Sequence, residues 1–343
     1  MKKPGYASTV STLAVSAFVL AGALWQSSAQ AATELRMANW LPPVHHLYKS
    51  LEAWNEEVSK ASGGSLIVKL DKAPLAKPPG QYDLAKKGIA DLSYPVLAYT
   101  PGRFEVARGS ELPFLSPNAT AGSKAMWDWY SRNVGNKEFN DVKLVTMWVH
   151  GPGLVHTKKQ VKTLEDLVGV KLRVGGGGVA MSKALGAVPV AMSATKAHES
   201  LQRGTTDGAL FPWEAIHGFR LTKLVKYHLQ IPGGLYATPF ALVMNKAKWN
   251  SLSAEHKAVL DKVGGLWGAG YIGERWDHAD NVGRGDAKAN GNIIQTIAPA
   301  ELGRWRQKIS FMDQDWIKKV NAKGWNGEAL LKDLKATMKK YGQ

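Results

Sequence analysis

The chain has 343 residues, no cysteine, thirteen tryptophans and a formal net charge of +16. That length exceeds what a single hydrophobic core usually holds and points to two packed lobes, while the lack of cysteine excludes a disulfide framework and any thiolate nucleophile or metal site. The basic residues are scattered with no dense run, so the surplus charge reads as a solvated surface that attracts small anions, not as a nucleic-acid interface.

Residues 1–31 carry Lys2 and Lys3, then an apolar stretch from Leu13 to Leu24, and end in Ala29-Gln30-Ala31. This is the layout of a cleavable secretory signal peptide, with an apolar part too short for a membrane span, and it predicts an exported protein. From there short β-like runs alternate with helical ones. ELRMANW (34–40) reads as a strand and HHLYKSLEAWNEEVSKASGG (45–64) as an amphipathic helix. SLIVKLD (65–71) is a second strand, PGQYDLAKKG (79–88) a helix and IADLSYPV (89–96) a third strand. The order β-α-β-α-β implies a parallel sheet with helices on both faces.

MWVHGPGLVHT (147–157) reads as strand, turn and strand, with His150 a candidate pocket residue. The alternation then recurs: VKLRV (170–174), VAMSKALGA (179–187), VPVAM (188–192), ATKAHESLQRG (194–204) and TTDGALFPW (205–213). An internal match supports two similar lobes. KKGIADLSYP (86–95) and QRGTTDGALFP (202–212) both run base, glycine, two residues, aspartate, apolar strand, proline. Gly88 and Gly204 are expected to end helices, and Asp91 and Asp207 to turn the chain into the next strand. After Trp213, YATPFALVMN (236–245) is a strand, residues 245–282 read as one long helix, and residues 299–324 as an amphipathic helical segment. The expected division is lobe 1 over 32–150 with a returning segment over 239–283, and lobe 2 over 151–238 with the C-terminal helices of 284–343. Each lobe is an α/β layer, a mostly parallel sheet flanked by helices, and a long helix braces both.

Enzyme signatures are missing. Gly175-x-Gly177-x-x-Ala180 is a loose dinucleotide fingerprint, but the acid it needs about 20 residues on is absent, with none before Glu199. There is no phosphate-binding loop, zinc-protease motif or nucleophile elbow. The histidines lack metal-ligand spacing, and His45 and His46, adjacent at a helix start, are expected to point apart. No metal and no cofactor is expected. What stands out is Arg173, at the end of VKLRV and followed by four glycines. A guanidinium at the carboxyl end of a parallel strand faces the crevice where such sheets bind ligands, and its planar fork matches a carboxylate. The glycines let the ligand and the next helix N-terminus approach, and that helix end also favours an anion.

LVGVKLRV, GAVPVAMS, ESLQRGTTDGALFP, FALVMNKAKWNSLSAEHKAVL and GIADLSYPVLAYTPGRFEVARGSELPFL resemble, in order and over nearly all of residues 33–340, the solute-binding proteins of tripartite ATP-independent periplasmic (TRAP) transporters, the DctP type. The resemblance implies a non-enzymatic periplasmic protein with two α/β lobes, which hands an organic acid to the membrane subunits of a TRAP transporter. It places Arg173 on the arginine that pairs with the substrate carboxylate. Trp40 falls on the pocket position after the first strand, and Tyr94, Pro95 and Val96 where the first-lobe strand meets the ligand. Phe211 and Trp213 flank the proline after TTDG, and Tyr236 lies on the crossover strand. Departures set a direction: Gly176 and Phe211 stand where sialic-acid-binding members carry asparagines, and Ala194 where they carry a phenylalanine. Glu214 is the nearby acid at the place where members that bind 2-oxo acids through a cation can use one as a ligand. Loss of those polar partners disfavours sugar acids, and aromatic surface around one cation favours an aromatic or 2-oxo/2-hydroxy monocarboxylate. An exported enzyme, or a binding protein that feeds a sensor, is the alternative on the same scaffold.

Overall fold

The computed structural model describes residues 1, 2, 5 and 31–342; the expected signal peptide lies almost wholly outside them. The chain opens with β1 (Thr33–Met37), α1 (His46–Ala61), β2 (Leu66–Leu70), α2 (Gln81–Lys86) and β3 (Leu92–Ser93). α3 (Ala119–Asn133), β4 (Val142–Val149) and β5 (Leu154–Thr157) follow, then α4 (Leu164–Leu167), β6 (Lys171–Val174), α5 (Gly178–Ala184) and β7 (Val188–Ala191). Next are α6 (Ala197–Gln202), β8 (Gly208–Phe211), α7 (Glu214–Gly218), β9 (Tyr227–Gln230) and β10 (Pro239–Asn245). The rest is α8 (Lys246–Ser251), α9 (Ala254–Val263), α10 (Gly265–Ala289), β11 (Ile293–Thr296), α11 (Pro299–Lys308), α12 (Phe311–Asn321) and α13 (Gly327–Tyr341).

Two sheets result, ordered β2-β1-β3-β10-β4 and β11-β9-β5-β8-β6-β7. β1 runs parallel to β2 and β3, and β6 parallel to β7 and β8. One strand in each sheet runs against its neighbours: β10 in the first, β5 in the second. These are the strands by which the chain enters one sheet after leaving the other. The strand-turn-strand of 147–157 is therefore a crossover between lobes and not a hairpin.

The internal repeat has a structural meaning. Gly88 and Gly204 hold φ of 70° and 73°, the left-handed region that closes α2 and α6. Asp91 accepts the backbone N–H of Arg36 on β1 at 2.8 Å, and Asp207 that of Lys171 on β6 at 3.0 Å. Each aspartate thus locks its strand to the neighbouring one in its own lobe.

The long helix expected over 245–282 is three helices. Ser253 caps α9 by accepting from His256 N, which ends α8 at Ser251. Gly264 then presses so close to Val145 O that a Cβ would sit 2.6 Å from it, and Gly265 turns with φ 53°. α10 is the brace. Its Gly273 packs on Thr120 of α3 and its Gly283 on the Trp213 carbonyl just before α7, approaches a Cβ would block. One turn of α10 also caps a helix in each lobe. Asp277 accepts from Ala119 N (2.7 Å) and Thr120 N (3.0 Å), and Asp280 from Glu214 N (2.7 Å).

The C-terminal segment divides between the lobes instead of staying with the second. β11 pairs with β9, and Trp305 of α11 is buried in the second-lobe core. α12 and α13 cross back, packing Trp316, Leu330 and Leu334 against Trp129 and Tyr130 of α3. Their apolar faces are buried there, and Trp129 donates its indole N–H to Leu330 O at 3.0 Å.

Candidate functional site

Between the two sheets lies a cavity walled by residues of both lobes. Arg173 is one wall and is only 2% exposed. Its Nη2 donates to Met192 O at 2.9 Å and to Tyr99 Oη at 3.3 Å, its Nη1 reaches Leu210 O at 3.5 Å, and its Nε has no partner. The guanidinium carbon lies 4.1 Å from the centre of the Phe211 ring, a cation–π contact. No carboxylate among the described residues comes within 4.0 Å of Arg173. A buried cation held only by carbonyls, a phenol and a ring face is short of a counter-charge, and an anion entering the cavity supplies it.

The remaining walls are largely aromatic. Trp40 lines the cavity, and Tyr94 stands behind it with its carbonyl accepting the Trp40 indole N–H at 3.3 Å. Val96, Phe211, Tyr236 and His150 also line it. His150 offers no hydrogen bond to a ligand: Nδ1 donates to Gly151 O at 2.5 Å and Nε2 accepts from Thr238 N at 3.1 Å. Burial lowers its pKa to about 4 and keeps that neutral tautomer. Its ring meets Tyr236 edge-on with centroids 5.1 Å apart. Tyr236 fits because residue 153 is glycine, where a Cβ would sit 2.2 Å from the tyrosine ring.

Six of the expected ligand-facing residues are thus brought together: Arg173, Trp40, Val96, His150, Phe211 and Tyr236. Two are not. Tyr94 is fully buried, its hydroxyl donating to Asn39 Oδ1, so it supports Trp40 from behind instead of facing the cavity. Trp213 turns into the second-lobe core against His156 (5.2 Å) and His228 (4.8 Å), because the chain bends into α7 immediately after Pro212. Sequence reading missed Tyr99, Phe219, Phe240 and Trp276 in the lining. Tyr99 has a double role, accepting from Arg173 and from Ala194 N (2.9 Å) across the cleft.

A second polar cluster joins the lobes. His45 and His46 do not point apart: their ring centroids lie 4.8 Å from one another, because His45 is the extended N-cap of α1 and only His46 is helical. Both face Glu214 on α7, with His46 Nε2 at 2.9 Å and His45 Nε2 at 3.7 Å from Glu214 Oε2. Burial pushes the Glu214 carboxyl up, but the close contact with His46 outweighs it and leaves a carboxylate of lowered pKa. Burial brings His45 down to about 4, hence neutral.

The ligand atoms of this trio lie within 4.8 Å of one another, close enough to suggest a metal. The donor set is one short. His45 Nδ1 already accepts the Leu47 N–H at 3.2 Å, so the neutral ring carries its proton on Nε2 and has no lone pair there for a cation.

Two of the four glycines do something other than expected. None of Gly175 to Gly178 has positive φ. Gly176 instead lies against the first lobe, where a Cβ would come 2.4 Å from Ala98 O, and Gly177 lies against the Glu111 carboxylate at 2.3 Å. The anion before α5 is the protein's own Glu111, so Gly176 and Gly177 serve close contact between lobes, while Gly175 lines the cavity as expected, with open space where a Cβ would stand.

Residues 37–319 match bacterial extracellular solute-binding protein, family 7, the DctP family. Three solved structures are similar, each with a TM-score of 0.86. A TRAP solute-binding protein from Bordetella bronchiseptica, with bound (R)- and (S)-mandelate, is 32% identical over 90% of this chain and 99% of its own. One from Rhodoferax ferrireducens, with copurified benzoate, is 33% identical over 91% of this chain and 99% of its own. A third, from an unidentified marine microbe and described as specific for aromatic acid ligands, holds 3-hydroxybenzoate; it is 34% identical over 92% of this chain and 100% of its own.

Proposed function

The chain belongs to family 7 of the bacterial extracellular solute-binding proteins, the DctP family, and on that premise we propose that it captures an aromatic monocarboxylate between its lobes and presents it to the membrane subunits of a TRAP transporter. The observation that carries the ligand class is Arg173: a buried guanidinium with no protein carboxylate beside it, laid on Phe211 in an aromatic cavity. Closure of two lobes around the acid excludes water and strengthens that one ion pair. The acids carried by the similar proteins, mandelate, benzoate and 3-hydroxybenzoate, combine a carboxylate with a flat apolar body, as this cavity favours. Mandelate is also a 2-hydroxy acid, so both parts of the expected ligand class remain in play.

The protein binds and releases its ligand without turnover, as its family does. Among the described residues no helix is long and apolar enough to cross a membrane. Residues 1–31 act as the export signal, and N-terminal sequencing of the periplasmic protein tests that by finding a start at residue 32. Lobe 1 comprises roughly 32–150 and 239–283 and lobe 2 roughly 151–238, with the C-terminal helices shared between them.

The direct test is thermal unfolding of protein stripped of ligand by unfolding and refolding, against aromatic monocarboxylates, 2-oxo acids, C4 dicarboxylates and sugar acids. A ligand at about 100 times its Kd adds about 2.7 kcal/mol of stability, a shift of several degrees. Shifts with aromatic or 2-hydroxy acids, and recovery of the acid unchanged, support the reading. A response confined to sugar acids sinks the ligand class, and consumption of the acid replaces transport with catalysis.

A further inference from the structure

Three polar atoms on residues lining the cavity have no hydrogen-bond partner, Arg173 Nε, Trp276 Nε1 and His45 Nε2, and a fourth, Glu214 Oε2, has only the His46 Nε2 contact at 2.9 Å. The first two are donors of the kind a carboxylate satisfies. The other two make an opposite demand. His45 Nε2 carries a proton, since Nδ1 is the cap acceptor, and Glu214 Oε2 is a carboxylate oxygen 3.7 Å away. That gap is too long for a hydrogen bond between them.

Arg173 and the His45–Glu214 pair lie at different ends of one wall, with Trp276 towards the pair, 4.7 Å from His46. Arg173 rests on Phe211 at 4.1 Å, Phe211 stacks on Phe219 with centroids 5.7 Å apart, and Phe219 meets His45 at 5.0 Å. The row therefore runs from the cation through two phenyl faces to the His45–Glu214 pair. His150 and Tyr236 line the same cavity. Gly218 closes the side of the pair: a Cβ there would lie 2.9 Å from His45 Nε2 and 3.1 Å from Glu214 Oε2.

We propose that the His45–Glu214 pair receives a hydroxyl of the ligand, so that the preferred solute is a hydroxylated aromatic acid; this rests on the carboxylate reading of Arg173 above. A hydroxyl alone meets both demands, donating to Glu214 Oε2 and accepting from His45 Nε2–H. An unsubstituted ring leaves His45 Nε2 unpaired in a buried place and Glu214 Oε2 with the His46 contact alone. A second carboxylate satisfies His45 but is set against Glu214, and an aromatic amine satisfies Glu214 but offers His45 a poor acceptor. Glu214 thereby becomes the residue that selects among acids Arg173 would accept alike.

Calorimetric titration of the full mature protein with benzoate, the 2-, 3- and 4-hydroxybenzoates, 3-aminobenzoate and the matching methoxybenzoates tests this. One hydroxybenzoate isomer is expected to bind at least about tenfold tighter than benzoate, the usual scale for a hydrogen bond to a charged group. Its methoxy counterpart, with no proton to donate, is expected to lose that advantage. In Glu214→Gln the ratio of hydroxybenzoate to benzoate affinity is expected to shrink, and the ratio is unaffected by any general weakening of the cavity. Equal affinities for benzoate and every hydroxybenzoate overturn the inference and leave the carboxylate reading standing. So does a methoxybenzoate that binds as well as its hydroxy counterpart, a measurement that needs no variant. A ratio unchanged in Glu214→Gln overturns the assignment to Glu214. If no aromatic acid binds, and Arg173→Ala behaves as the wild type, both readings fall together.

Discussion

Arg173 lies flat on Phe211, its guanidinium carbon 4.1 Å from the ring centre, while its Nε points at no acceptor. The stacking fixes the plane of the fork before any ligand arrives, so little side-chain freedom remains to be lost on binding. Replacing Arg173 by alanine is expected to cost about 2–5 kcal/mol of carboxylate affinity, the range for truncating one partner of a buried charge pair. Lysine at this position keeps the charge but not the planar fork, and is expected to recover only part of the loss. The unliganded protein should melt no lower than wild type, because a buried cation without a counter-ion is removed. Calorimetry and thermal unfolding of both variants check this; full affinity in Arg173→Ala would end the clamp.

Trp213 and Trp276 exchange the roles that chain position suggests. Trp213 follows the ligand-facing Phe211 by two residues but is packed on His156 and His228, whereas Trp276, on a distant helix, lines the cavity. Trp213→Ala is therefore expected to lower stability by about 3–5 kcal/mol, the usual cost of emptying a core site of this size. It should leave the ratio of aromatic to aliphatic acid affinities unchanged. Trp276→Phe is expected to weaken aromatic acids, having lost an indole N–H on the cavity wall. Urea unfolding and parallel titrations separate the two, and a changed ligand ratio in Trp213→Ala would return that tryptophan to the site.

Gly176 makes a prediction about closure. Its Cβ would stand 2.4 Å from the Ala98 carbonyl, which belongs to the opposite lobe. Gly176→Ala should leave the stability of the unliganded protein within about 0.5 kcal/mol, since nothing inside either core changes. It should weaken every ligand regardless of chemistry, because the lobes cannot meet. Small-angle scattering with and without ligand reads this as a reduced contraction; an unaltered contraction would show that the backbone yields.

The parts legible in sequence are those carried by local pattern. Gly88 and Gly204, with Asp91 and Asp207, announced two lobes of one plan because a helix end and a strand start are short-range chemistry. Arg173 stood out because a cation ending an apolar strand is anomalous within a few residues. Tyr99, Trp276 and the His45–Glu214 pair gave no such signal: each acts across the cleft, on partners up to 169 residues away in the case of His45 and Glu214. The adjacent histidines face the same way for a related reason. Helical periodicity does not extend to a cap, and His45 has ψ of 139°. Short strands also hid their length, β3 keeping only Leu92–Ser93 before Pro95 removes a backbone donor.

Stability should fall on mild acidification, and the buried pair His156–His228 sets the sign. His156 Nε2 donates to Phe211 O at 3.1 Å, which leaves its Nδ1 as acceptor for His228 Nδ1–H at 2.7 Å. His228 Nε2 then accepts from Asn292 Nδ2 at 3.0 Å, so every ring nitrogen is satisfied with both rings neutral. A proton on either ring would set donor against donor. Burial lowers His228 to about 4 and His156 well below its ordinary value. Above pH 6.5 the folded and unfolded chains are both neutral here, and the stabilisation is complete. Between pH 6.5 and 4 the unfolded chain takes up protons that the folded one refuses, so stability drops as pH falls. A histidine moved from 6.5 to about 4 accounts for about 3 kcal/mol over that interval. Urea unfolding at pH 7.5 and 5 is expected to show the drop, and His228→Gln, which has no ring to protonate, to show less of it. A stability that stays level across this range would mean that the pair carries a proton already, and the neutral chain from Phe211 to Asn292 would have to be redrawn.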